Sequence, residues 1–200
     1  DEAAAQRTIR TLSQASRELA HRLPAGDEPV TVILCDTMWS FRLHAGAYAL
    51  PDVSGIAKPE AGVIVVKSPR MPGYQGGIDD TLRHELVHVL LARNTDTGVM
   101  PRWLNEGLAM MLSREYRWNS WWRLAQMSIQ GGIIRYRDLD MHFLEPGQEG
   151  PFGDAYAQSL AMTRHLAKTI GDDALWALIG DLRTMSFGDA MRKHAGMSPP

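Results

Sequence analysis

Apolar and polar positions repeat with two different periods along this chain, and the change from one to the other outlines its elements. From Glu2 to Leu23, Ile9, Leu12, Ala15, Leu19 and Leu23 recur at helical spacing while Arg7, Arg10, Arg17 and Glu18 mark a wet face. This predicts an amphipathic helix ended by Pro24, Ala25 and Gly26. The β-rich run Val30 to Cys35 then predicts a strand, followed by a turn at Asp36 and Thr37 and a short helix over Met38 to Tyr48. Gly55 to Lys58 and Gly62 to Lys67 predict the two arms of a hairpin around Pro59, Glu60 and Ala61. The second arm admits two readings, a plain core strand or a strand along a cleft that pairs with an extended substrate.

Helical periods take over downstream. Ser68 to Gly77 is loop, rich in proline and glycine, and it leads into a helix whose N-cap is expected at Asp79 or Asp80. Either aspartate has a competing role as the acceptor behind a metal-bound imidazole. Asn94 to Gly98 supplies turn residues, and Pro101 suits the first turn of the next helix, Met100 to Leu112. Tyr116, Trp121, Trp122, Leu124 and Ala125 predict the buried stripe of another helix, with a cleft lining or a partner surface as the competing readings. Gly131 and Gly132 break it, and Met141 to Phe143 reads as a short helix or strand in a stretch, Gln130 to Gln148, without a clear period. Three helices follow, over Asp154 to Lys168, Asp173 to Leu182 and Phe187 to His194.

Composition narrows the class only modestly. With 44% hydrophobic and 22% charged residues over 200 positions, the chain can bury a sizeable core as one domain with two lobes. A formal net charge of −2 gives no electrostatic reason to bind nucleic acid or anionic membrane. The single cysteine, Cys35, excludes an internal disulfide. No apolar run is long enough to span a membrane. The start at Asp1 suggests a processed or trimmed chain.

Chemistry concentrates in Thr81 to Leu91, TLRHELVHVLL, where His84, Glu85 and His88 have the spacing HExxH. Residues four apart share a helix face, so both imidazoles aim at one point and Glu85 stands one step round the helix. Two such histidines suit one zinc ion in a site that keeps a position open, with the glutamate beside it as a base. A third ligand is then required from another element. Glu106 meets that need: it falls among Leu104, Leu108, Met111 and Leu112, where a lone buried carboxylate would be costly and a cation would remove the cost.

HELVH followed by WLNEGLA resembles the gluzincin zinc metallopeptidases, which combine HExxH with a glutamate ligand on a following helix. The WLNEG sequence is similar to the aminopeptidase N-like branch, related to thermolysin, and to the small bacterial peptidase MA-like domains; Leu82 to Met111 carries the metal pattern and Tyr156 to Gly196 resembles the helical tail of the small domains. The resemblance implies an α+β, zincin-like fold, with a small mixed sheet packed on the active-site helix and a mainly helical C-terminal lobe. The lobes would cover about 1–113 and 114–200. It also implies hydrolysis of peptide bonds in a peptide or protein substrate by a zinc-activated water, with His84, His88 and Glu106 as metal ligands and Glu85 as general base.

Gluzincins commonly add an oxyanion donor from the helical lobe, and the AYAQSL context assigns that role to Tyr156, with a buried core tyrosine as the competing reading and His142 or His165 as substitutes. His165 is expected to pack, whereas His21, His44 and His194 read as surface or structural residues. Two departures qualify the likeness. No GxMEN-type exopeptidase motif lies upstream, which points to an endopeptidase, and Met110 occupies the position where thermolysin-like enzymes often place an aspartate to orient a zinc ligand. The small relatives point to an exported bacterial protein. A different class, a zinc-containing peptide-binding or latent module without turnover, is disfavoured by the retention of Glu85, since zinc binding alone needs no base.

Overall fold

The computed structural model describes residues 2–46, 49–50, 53–71, 74, 77–113, 119–143 and 152–197. Tyr48, Tyr116, Gln148 and the Ser198 to Pro200 ending lie outside these residues, as does the side chain of Trp121. The chain divides into two compact units, Asp1–Arg93 and Asn94–Pro200. Mixed α and β structure is confined to the first, and the described part of the second is helical.

In the first unit, helix α1 (Glu2–Leu19) leads to strand β1 (Thr31–Cys35), helix α2 (Met38–Ala45), strands β2 (Gly55–Lys58) and β3 (Val63–Lys67), and helix α3 (Ile78–Asn94). The expected hairpin is present: β2 and β3 pair antiparallel with Gly55 opposite Val66, and a single 3-10 turn over Pro59–Ala61 joins them. Gly62 closes that turn in the left-handed region at φ 61°, where a glycine carries no Cβ penalty. β1 pairs parallel with β3 from Thr31 opposite Val63 to Cys35 opposite Lys67, giving the order β1-β3-β2.

β3 is therefore central, with a partner on each side. It has no free edge for an extended substrate, which leaves only the core-strand reading of GVIVVK. Its alternate residues serve two layers. Val63 and Val65 join Ile33, Cys35, Phe41, Ala45 and Ile56 in a core on the α2 side, while Ile64 and Val66 are also fully buried. On β1, Val32 and Leu34 face a recess shared with Thr8 and Leu12 of α1 and Leu86 of α3.

α1 ends earlier than its apolar pattern suggests, because the chain turns after Leu19, whose carbonyl accepts from the amides of Arg22 and Leu23. Its buried face runs through Thr8, Ala15 and Leu19, leaving Ile9 63% exposed. Polar contacts fasten both ends of α3. Arg7 of α1 donates to Asp79 at 2.7 Å, and Thr11 donates to the same carboxylate at 2.7 Å. At the other end Arg93 donates to the carbonyls of Ala25, Glu28 and Pro29 at 2.7–3.0 Å. Arg83 pairs with Glu18 along the helix between them.

The second unit begins with α4 (Arg102–Ser113), followed by α5 (Asn119–Gln130), the single turn α6 (Tyr136–Leu139) and a 3-10 turn over Asp140–Phe143. Helices α7 (Phe152–Ile170), α8 (Asp172–Asp181) and α9 (Phe187–Ala195) complete it. α4 packs along α7, and the approach is close at Gly107. A Cβ there would lie 2.6 Å from the Ser159 carbonyl oxygen and 2.1 Å from Thr163 Oγ1. The loop after α5 is tied to α7 through Gln158, which accepts from the Ile134 amide at 2.9 Å and donates to its carbonyl at 2.7 Å. His194 and Lys193 of α9 both bond Asp181 at 2.6 Å, so His194 has a structural partner. His21 is exposed and His44 half-buried on α2, as expected of residues outside the site.

α5 departs from its expected pattern. Trp122 is 77% exposed and Ala125 is also exposed; Met127 supplies the buried contact and Leu124 is only half-buried. With Met127 as the buried position, the facing stripe of the helix is displaced from Trp122. Among the described residues, no helix is long and apolar enough to cross a membrane.

Candidate metal centre

α3 carries His84, Glu85 and His88. Ten of its residues are buried, including Leu82, Leu86, Val87, Val89, Leu90 and Leu91, so it is enclosed on most sides rather than along a stripe. Within that apolar surround His84 and Glu85 are 8% and 7% exposed, and His88 is half-buried. The helical repeat brings the two imidazoles together edge to face, with ring centroids 4.8 Å apart and planes at 71°.

Glu106 lies on α4 and is buried between Leu104 and Leu108, both fully buried. The N-terminus of α4 is capped from far along the chain: the Asp140 carboxylate accepts from the backbone amides of Arg102 at 3.0 Å and Trp103 at 2.9 Å. This satisfies donors that the first helical turn leaves open and places negative charge at its positive end. Gly107, directly after Glu106, allows the close contact with α7.

His84, His88 and Glu106 form a group that could hold a metal ion; each offers one ligand atom, and these atoms lie within 4.8 Å of one another. Two imidazole nitrogens and one carboxylate oxygen suit a divalent transition metal with open positions. The donor set fits zinc, and it also fits other metals of that series, iron(II) among them. It therefore defines a group competent to hold a metal without selecting which one.

The remaining expected residues fall in different places. Tyr156 is half-buried on α7, with its ring edge-on to Phe143 at 5.2 Å. His142 is exposed and stands outside the metal-competent group. His165 is exposed on α7 rather than packed, while its neighbour Leu166 is buried. Met110 is 1% exposed and contributes packing where a polar residue would have oriented a ligand.

Neither Asp79 nor Asp80 is the N-cap of α3. The helix starts at Ile78, and the Gly77 carbonyl accepts from the Thr81 amide, which leaves both aspartates inside the first turn. Asp79 is engaged by Arg7 and Thr11. The Arg7 guanidinium first, and Thr11 after it, hold the Asp79 carboxyl below its usual range against the opposing effect of burial.

Two residues that adjoin this chemistry have no local sequence signal. Asp140 caps α4 across a long separation, and Gly55, at the start of β2, lies against the side chain of Glu85. The small residue in Asn105, Glu106, Gly107 was the visible trace of the tight α4–α7 contact. No family model matches the chain, and neither a curated protein nor a solved structure was found to match it.

Proposed function

We propose that the chain is a zinc-dependent metallopeptidase of gluzincin type that cuts peptide bonds within a chain. The observation that carries the reading is the metal-competent group His84, His88 and Glu106 with Glu85 beside His84 on the same helix. Metal binding by itself calls for the three donors; a buried carboxylate retained next to them calls for a further task.

The two histidines would bind as neutral imidazoles and Glu106 as a carboxylate, so acid competes with loading. A bound zinc ion would supply Lewis acidity toward a carbonyl and lower the pKa of coordinated water. Glu85 takes a proton from the attacking water and returns it to the departing amine. Its burial keeps bulk water from competing for that proton. Tyr156 donates its phenolic O–H to the oxygen on which negative charge develops.

The test is digestion of an unbiased peptide mixture by zinc-loaded protein, read by mass spectrometry beside Glu85→Gln. Internal cuts made by the unaltered protein and reduced roughly 100-fold or more in the variant, at equal metal content, are the expected result. Cleavage that survives the substitution refutes Glu85 as base. Two inert proteins, each carrying metal, would replace the peptidase with a peptide-binding or latent module.

A further inference from the structure

Gly55 is the first residue of β2, which among the described residues is an outer strand of the sheet paired with β3. Its backbone is not in the left-handed region, so the conformation itself does not demand glycine. The space does. A Cβ on Gly55 would lie 2.7 Å from Thr81 Cγ2, 3.1 Å from Glu85 Cγ and 3.2 Å from Glu85 Oε1.

Thr81 precedes Glu85 by one helical turn, so both side chains leave the same face of α3. Both are buried, and the β-branched Thr81 has little torsional freedom with which to retreat. The start of β2 is thus a wall of bare backbone against the Glu85 side chain, with Thr81 closing the neighbouring direction. A general base is effective only when its oxygen is held where the proton is given up, and a displacement near 1 Å is costly.

We propose that Gly55 is a positioning residue for Glu85: the missing side chain leaves the one volume in which the glutamate carboxylate can rest, and β2 holds it there. The functional consequence rests on the peptidase reading, whereas the geometric claim does not. It is tested with Gly55→Ala and with the double variant Gly55→Ala/Thr81→Ser. The serine removes the Cγ2 atom responsible for the hardest contact and leaves both Glu85 contacts in place, so it separates packing from positioning.

Gly55→Ala crowds Glu85 by a few tenths of an ångström and is expected to lower kcat several-fold, below the roughly 100-fold that a misplacement near 1 Å costs, with KM within about twofold and zinc content equal to the unaltered protein. The double variant should regain the thermal midpoint while kcat stays low. If Thr81→Ser restores kcat together with the midpoint, Gly55 serves packing alone and the proposal fails; it fails equally if Gly55→Ala leaves kcat unchanged. Should the single variant not fold, the double variant carries the measurement. If the unaltered protein cleaves nothing, the peptidase reading fails separately, and crystal structures of the unaltered protein and the double variant decide. A Glu85 side chain displaced by a few tenths of an ångström or more upholds the assignment, and an unmoved one overturns it.

Discussion

The two helices that carry the metal-competent donors are held in opposite ways. α3 is enclosed by apolar residues around most of its circumference and fastened at both ends by arginines, Arg7 to Asp79 and Arg93 to three carbonyls. Its two histidines meet because of a repeat internal to the helix. α4 contributes one donor, Glu106, and the position of that donor depends on contacts with residues far along the chain: Asp140 at its N-terminus and Ser159 and Thr163 against Gly107. A donor pair placed by local periodicity tolerates distant change, whereas a donor placed by a few distant contacts depends on each of them.

Removing the donors themselves is the largest perturbation. Glu106→Ala and His88→Ala should each reduce bound metal well below one ion per chain, with an affinity loss beyond the roughly 10–100-fold typical of residues that merely support a ligand. Metal analysis after dialysis reads this, and undiminished content in either variant removes that residue from the ligand set.

Gly107→Ala probes the dependence of α4 on its partner helix. The added methyl meets a backbone carbonyl oxygen at 2.6 Å, so α4 and α7 must separate, and overpacking of this kind costs about 3 kcal/mol. Urea unfolding should show a lower midpoint with metal affinity reduced in parallel. An unchanged midpoint would mean that the α4 position is not set by this contact.

The smallest effect belongs to the fastening of α3. The Arg7 guanidinium holds the Asp79 carboxyl below its ordinary value. A group whose folded pKa is depressed adds stability above its unfolded pKa, near 3.9 for aspartate, and that contribution disappears as pH falls through the lower folded value. The Asp79 side chain is 44% exposed, so solvent screening limits the pair to well under about 1 kcal/mol. Asp79→Asn should accordingly lower the urea midpoint slightly at pH 6 and match the unaltered protein near pH 2. A gap that persists undiminished in acid would show that the effect does not come from the Asp79 charge.

Features with a local physical cause could be read from the order of residues. HExxH on a helix brings His84 and His88 together by the 3.6-residue repeat alone, and the β-rich runs with a proline and glycine turn between them specify the β2–β3 hairpin. The burial of Glu106 was legible too, from the apolar residues on either side of it. Features decided by which surfaces meet were not legible. β3 became the central strand because β1 paired with its second edge, and strand order leaves no mark in the alternation of one strand. Trp122 and His165 became exposed because the faces of α5 and α7 are chosen by their neighbours, and an aromatic or imidazole ring suits either environment. Asp79 was taken from capping by Arg7, Asp140 became a cap for a distant helix, and Gly55 came to rest on Glu85. Each of these joins residues separated by tens of positions, and only the tertiary structure, through sterics and charge pairing between distant segments, could bring them together.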